Sequence, residues 1–370
     1  MDKYDVGIIG AGIAGSCLAI LLAEEGKSVV VFEKEDYPSH KVCGEFISLE
    51  SYAFFKSLGL PLDDWNLPII KNLQLTSQKG GELNTSLKTG GFGLSRYKLD
   101  HALAEQMKKS GVHFHPKTKV TEVQNEMIST ANGTYKTDLI IGSHGKYSPG
   151  YLKRPKTAAK RKYIGVKYHI KGDFKENLIS LHSFDGGYCG ISKIEDNQYC
   201  LCYLADASKL KYHNNNIRAF EKNVLFKNKK LKEVYSKAEF MWAKPLVISN
   251  IKFNKQQLYN EHMLFVGDAA GSISPLSGNG MSIAARSALV LSQLILEEEN
   301  FAQLRTRYNK EWDLHFGGRV NKAELLNKLM LNPTAHHLVL KALNAFSPLR
   351  HKVVNDMQGD SFVRNFRVIR

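Results

Sequence analysis

Cysteine is scarce in this chain of 370 residues: Cys17, Cys43, Cys189, Cys200 and Cys202 are all there is. An odd number without CxxC spacing fits a reducing cytoplasm. Long apolar runs are also lacking, and stretches such as ALVLSQLIL at 288–296 are far too short to span a bilayer. No GxSxG is present, which removes the nucleophile-elbow hydrolases. His336-His337 and Cys200-x-Cys202 lack the spacing of a closed zinc site, so no metal is expected. Internal repeats and low-complexity segments are absent as well.

Acidic residues are in deficit, 36 against 51 Lys and Arg, for a formal charge of +15. Such a balance favours anionic partners, including phosphorylated cofactors and acidic lipid headgroups. The basic residues are scattered, and no zinc-ligand spacing or aromatic RNA-binding signature accompanies them, so nucleic acid is not an expected partner. What is present is ordinary for a globular protein: 43% hydrophobic and 24% charged residues, with enough chain for two packed domains.

The first informative stretch is DVGIIGAGIAGSCLAILLAEEGKSVVVFEKE, residues 5–35. Its apolar start carries Asp5 and runs straight into glycines, which marks a strand and not an export signal. Gly10, Gly12 and Gly15 form GxGxxG between that strand and a helix. The first glycine suits a tight turn, the second lets a pyrophosphate approach the backbone, and the third permits close helix–strand packing. Phosphate charge is favoured at the helix N-terminus. After Gly26 a second strand ends in Glu33, where an acid accepts hydrogen bonds from a ribose. The unit therefore points to an adenine dinucleotide; NAD and FAD both use it.

Residues 262–288, HMLFVGDAAGSISPLSGNGMSIAARSA, read as an apolar strand delivering Asp268, a loop with Pro275, Gly278 and Gly280, and a helix beginning near Met281. Here the sequence resembles the FAD-binding family of p-hydroxybenzoate hydroxylase, the ubiquinone-pathway hydroxylases, the flavin halogenases and the geranylgeranyl reductases. The resemblance implies FAD, with Asp268 on the ribityl chain and the glycine-rich helix start facing the flavin ring. SRYKLDHALAEQMKKSGV at 95–112 resembles the family's arginine-containing helix start, which places Arg96 at the cofactor. The cofactor-binding set implied is Gly10, Gly12, Ile13, Ala14, Gly15, Glu33, Lys34, Lys41, Cys43, Arg96, Val120, Gly267, Asp268, Pro275, Gly278, Asn279, Gly280 and Met281. TYKTDLIIGSHGKYS at 134–148 resembles the strand that usually ends in Asp-Gly, but it carries His144 in place of the acid. That change bears on the nicotinamide donor, NADPH or NADH, expected from the family.

The expected fold is α/β with α+β elements: a Rossmann-like FAD-binding domain of glutathione-reductase type, an antiparallel-sheet substrate domain and a helical C-terminus. The FAD-binding domain would be discontinuous, from 1–71, 95–155 and 260–330. The substrate domain would come from 72–94 and 156–259, and 331–370 would form the helical C-terminal segment. NLQLTSQKGGELNTSLKTGGFGLS suggests a hairpin around Lys79-Gly80-Gly81, and Asp196-Asn197 marks a turn between two later strands. YLKRPKTAAKRKYIG forms a basic linker carrying Lys153, Arg154, Lys156, Lys160, Arg161 and Lys162. The final fifty residues mix apolar and cationic side chains, a pattern suited to a packed helix or to peripheral contact with a membrane.

Reaction type rests on family features. HKVCGEFIS at 40–48 resembles the KxCG segment of geranylgeranyl reductases, which places Cys43 near the flavin, and GGYCGISK at 186–193 resembles their GGY strand with Tyr188. Gly190, Ser192, Lys193 and Asn279 depart from that pattern. The WxWxIP signature of halogenases is missing. The first expectation is an NAD(P)H-dependent monooxygenase that hydroxylates an apolar or aromatic small molecule through a flavin hydroperoxide. The alternatives are reduction of isoprenoid double bonds, with Cys43 and Tyr188 as candidate catalytic residues, and a flavin electron-transfer protein.

Overall fold

The computed structural model describes residues 2–152, 162–251, 254–255, 257–272, 280–298, 300–356 and 358–364. Of the linker's basic residues only Lys162 is among them; Lys153, Arg154, Lys156, Lys160 and Arg161 lie outside, as do Pro275, Gly278 and Asn279.

The chain opens with β1 (Lys3–Ile9), α1 (Ile13–Glu24) and β2 (Val29–Phe32). β1 and β2 pair in parallel with Val6 opposite Val29, which requires a crossover, and α1 supplies it. Ile13 to Leu22 are buried all round the helix, so α1 is a core helix with no polar face. Next come β3 (Phe46–Ser48), α2 (Tyr52–Ser57), β4 (Ile69–Thr76), β5 (Glu82–Gly93) and α3 (Arg96–Lys109). β6 (His113–His115), β7 (Val120–Gln124), β8 (Met127–Thr130) and β9 (Gly133–Gly142) follow.

The second half carries β10 (Tyr163–Lys171), β11 (Leu178–Phe184), β12 (Gly187–Lys193) and β13 (Tyr199–Asp206). Short helices α4 (Ala207–Tyr212), α5 (Ile217–Asn223) and α6 (Lys229–Lys237) lead to β14 (Glu239–Phe240), β15 (Leu246–Ile251) and β16 (Asn254–Lys255). β17 (Leu264–Phe265), β18 (Gly271–Ser272) and α7 (Gly280–Glu297) return to the first domain. α8 (Phe301–Trp312), a π-helical turn at Asp313–Gly317, α9 (Gly318–Met330), α10 (Pro333–Ala345) and α11 (Ser347–Asn355) close the described chain.

One sheet runs β6-β2-β1-β9-β8-β7, with β17 also paired to β9 in parallel, Leu264 opposite Ile141. The central parallel strands bring the carboxyl ends of β1, β2, β9 and β17 to one edge, where ligands bind in open α/β sheets. α7 packs against α1, so the two glycine-rich segments meet although about 255 residues separate them.

The other sheet runs β14-β10-β13-β12-β11-β4-β5-β3, with β15 also on β10. The turn before β13 places Asp196 and Asn197 at φ +55° and +56°, the left-handed pair a tight hairpin needs. The purely antiparallel expectation needs correction at one pairing: β4 and β11 are parallel, Leu178 opposite Asn72. No hairpin joins these strands, because the chain passes through the first domain between them, so hairpin geometry does not set their direction. β10 alternates strictly. Ile164, Val166, Tyr168 and Ile170 pack with Phe220, Leu225 and Leu231 of the 217–231 segment, while Gly165, Lys167 and His169 face the first domain.

Candidate functional site

A cavity of about 890 Å³ lies between the two sheets. It runs from Glu33, Thr118 and Val120, past Gly12 and Arg96, to Cys43, Asp268, Gly280 and Met281, and on to an apolar wall of the second sheet.

The three fingerprint glycines serve three different needs. Gly10 has φ +104°, and a Cβ there would lie 2.5 Å from the Ser143 carbonyl oxygen. A Cβ on Gly15 would meet the Gly10 carbonyl oxygen at 2.1 Å, so this residue sets how closely α1 approaches the strand. Gly12 caps α1 with extended backbone and no side-chain cap, and a Cβ there would find only Arg96 Nη2, at 3.9 Å. Uncapped N–H groups beside open space are a cradle for an anion, and the helix dipole favours it.

Glu33 stands just beyond β2, 7% exposed. Its Oε2 accepts from the Ala11 N–H at 3.0 Å and its Oε1 from the Glu35 N–H at 3.0 Å. Both oxygens keep a lone pair for the cavity. Lys34, with an exposed side chain, and Val120 flank this end.

Next to Gly12 sits a buried charge cluster. Arg96 binds Asp100 through Nε and Nη2, both at 2.7 Å, and Lys41 Nζ reaches Asp100 at 3.0 Å. Burial would push the Asp100 carboxyl up, but Arg96 and then Lys41 outweigh it and hold the group below the usual carboxylate range. One carboxylate against two cations leaves a net positive site beside the helix N-terminus, which suits a pyrophosphate.

Asp268 follows Gly267, whose φ is +64° and whose Cβ would lie 2.7 Å from that of Ala14. The Asp268 side chain is 38% exposed and faces Lys146 at 3.9 Å. Gly280 and Met281 begin α7, and Met281 Sδ lies 3.8 Å from Cys43 Sγ. All predicted cofactor residues that the structure describes therefore line the cavity, except Gly15 and Gly267, which shape its backbone. His144 lines it too; its Nδ1 shares a 2.8 Å hydrogen bond with the Tyr147 carbonyl oxygen and its ring meets Phe265 edge-on.

Sequence reasoning missed the groups that hold the segment around Cys43. Glu45, fully buried at φ +54°, accepts from Lys167 Nζ and from the Arg96 backbone N–H at 2.8 Å, and shares a 2.7 Å hydrogen bond with His169 Nε2. Lys167 also donates to the Lys41 carbonyl at 3.2 Å, and the Cys200 thiol donates to the Cys43 carbonyl at 3.2 Å. Burial opposes the charge on Glu45, yet Lys167 and His169 hold its carboxyl low, and Glu45 in turn holds Lys167 high. Glu45, His169 and Cys200 approach one another closely enough for a metal ion, but an ammonium already occupies that carboxylate and would repel a cation.

The far wall is apolar. Ile179, Leu181, Ile191, Leu204, Ile248 and Ile251 line it, with Tyr188, 4% exposed, and Gly190, where a Cβ would lie 3.2 Å from Leu181 Cδ2. A cradle for an extended dinucleotide thus opens directly onto a greasy chamber, the arrangement of a flavin-dependent oxidoreductase.

The comparisons with known proteins agree. The family model described as an NAD(P)-binding Rossmann-like domain matches residues 8–42. A digeranylgeranylglycerophospholipid reductase of Methanococcus vannielii is 23% identical over 93% of this chain and 88% of its own length. Conditioned medium factor receptor 1 of Dictyostelium discoideum is 27% identical over 85% of this chain and 68% of its own. Among solved structures, the flavin-dependent brominase Bmp2 superposes with a TM-score of 0.79 at 19% identity, covering 96% of this chain and 93% of its own. These likenesses support an FAD-dependent oxidoreductase, an enzyme similar over most of its length to geranylgeranyl-type reductases and to flavin-dependent halogenases and monooxygenases.

Proposed function

We propose that the protein is an FAD-dependent reductase that saturates a carbon–carbon double bond in a long, apolar, isoprenoid-like lipid, drawing electrons from NADPH or NADH. The observation that carries this reading is Cys43, a free thiol in the cavity wall beside the N-terminus of α7. Oxygen-activating flavin chemistry generates oxidants that convert exposed thiols to sulfenic acid and beyond, so a thiol there is better suited to a reduction. The similarity of 93% of the chain to a lipid reductase supports the same substrate class.

Reduced FAD, when bound, supplies a hydride. The chain does the rest. The N-terminus of α1, Arg96 and Lys41 offset the pyrophosphate charge, and Asp100 fixes the two cations. Glu33 and Asp268 take the ribose and ribityl hydroxyls, a role carboxylates suit. The apolar wall excludes water around the substrate carbons, and Cys43 supplies the proton at the carbon that does not receive hydride, with Tyr188 on the same wall.

Hydroxylation is the second reading, favoured by Tyr188, whose ring offers a flat aromatic substrate a stacking surface. Product mass separates the two. The enzyme, NADPH and a polyprenyl lipid are incubated with and without oxygen. Gain of two hydrogens without oxygen supports the reductase, and gain of one oxygen atom overturns it. Cys43→Ala is expected to lower turnover at least tenfold with flavin content unchanged; full turnover removes its role as proton donor.

A further inference from the structure

We propose that the outward face of α10 and α11 is a docking surface for an anionic lipid bilayer. The proposal draws on the lipid-reductase reading for its purpose, while its physical basis lies in the helices themselves.

These helices carry apolar residues on two sides. Inward, His336, Leu340, Leu343 and Val354 are buried, with Leu340 and Leu343 against Leu83 of β5. Outward, Leu338 is 60% exposed, Phe346 64% and Leu349 45%. Exposed Ala342 and Ala345 follow Leu338 at helical spacing along α10, and exposed Phe346 and Leu349 lie at the turn into α11 and on α11, so both helices present apolar side chains where a surface helix ordinarily carries charge.

Charge selects the occupant. Between Pro333 and Asn355 the chain has Lys341, Arg350 and Lys352 and no aspartate or glutamate. A second copy docked by the same face would bring like charges together across a two-fold axis. A bilayer with anionic headgroups instead meets apolar side chains with its acyl boundary and cations with its surface, the way an interfacial helix binds. Among the described residues no helix is long and apolar enough to cross a membrane, so the contact lies in the interface plane.

The position suits a lipid substrate. Val354 of α11, with Met330 and Leu331 nearby, packs in the same apolar cluster as Leu181, Tyr188, Leu204 and Ile251 of the cavity wall. One of the two helices that would meet the bilayer thus reaches, on its inner side, the apolar cluster that forms part of the chamber wall.

The test uses the flavin-loaded full chain and substrate-free vesicles, so its outcome does not depend on the reaction. Co-sedimentation is measured with phosphatidylcholine alone and with an equimolar mixture of phosphatidylcholine and phosphatidylglycerol. Binding is expected to the anionic vesicles and weakly or not at all to the neutral ones. The triple variant Leu338→Gln, Phe346→Gln, Leu349→Gln should lose about tenfold or more of the partition, with melting temperature and flavin content unchanged. Lys341→Glu with Lys352→Glu should abolish the preference for anionic lipid. Failure of the parent protein to bind anionic vesicles overturns the proposal. So does undiminished binding by the triple variant, or a dimer of the parent protein that the triple variant dissociates without vesicle binding.

Discussion

A methyl group on Gly15 would collide with the Gly10 carbonyl oxygen, whereas one on Gly12 would project into open cavity. The two glycines were equally visible in the sequence, and their spacing alone marked Gly15 for close helix packing and Gly12 for an open approach, because GxGxxG couples a strand end to a helix start. Arg96 was visible too, but Asp100 was not, since a carboxylate one helical turn away looks like a surface ion pair until burial is known. Burial changes its weight. With Asp100 fully buried and the Arg96 side chain 15% exposed, Asp100→Asn leaves two cations facing each other without a counter-ion. The expected loss of stability is about 3 kcal/mol, within the range for breaking a buried pair. Urea unfolding measures it, and a change below about 1 kcal/mol would show that solvent reaches the cluster.

At the scale of elements, what was legible had a short-range signal. The β1–α1–β2 unit, the hairpin of β4 and β5 and the Asp196-Asn197 turn were all marked by glycines or by residues that accept left-handed backbone. The clamp on residues 41–45 was invisible. Glu45, Lys167 and His169 meet only because β10, buried on both faces, turns its alternate residues toward the first domain. The same holds where α10 docks on β11. His182 shares a 2.8 Å hydrogen bond with Thr76 Oγ1, and His336 one of 2.6 Å with Ser183 Oγ. Neither Nε2 has a hydrogen-bond partner among the described residues.

Burial lowers both imidazoles from 6.5 to about 4. The stability this confers is complete above about pH 6.5, where neither state is protonated. As pH falls from there to about 4 the unfolded chain takes up protons that the folded chain refuses, costing up to about 3 kcal/mol per histidine. Urea midpoints should therefore drop between pH 7.5 and pH 5 (about one pH unit above and 1.5 below the unfolded value). His182→Gln with His336→Gln should flatten that drop. An equal drop in the double variant would locate the pH dependence elsewhere. Asp100 and Glu45 act separately, because their depressed carboxyls release stability only below the usual carboxylate range.

Over the whole molecule, the central feature is a cavity whose two halves come from opposite ends of the chain. The sequence disclosed both halves by their motifs, and the parallel β1–β9–β17 pairings explain why they coincide. It did not disclose the chamber wall, because Ile179, Leu181, Leu204 and Ile248 are ordinary strand residues until the sheets face each other. Net charge of +15 gave a preference for anions without a location; the Arg96–Lys41 cluster beside Gly12 concentrates positive charge at one place in the cavity.

The claim on which the rest depends is that FAD lies along this cavity with its pyrophosphate at Gly12. The direct measurement is flavin bound per chain after saturation with FAD and removal of excess, for the parent protein and for Gly12→Ala. The account predicts about one FAD per chain in the parent, and almost none in Gly12→Ala with an unchanged melting temperature. A parent protein that takes up no flavin, or a Gly12→Ala variant that retains it in full, would contradict the account.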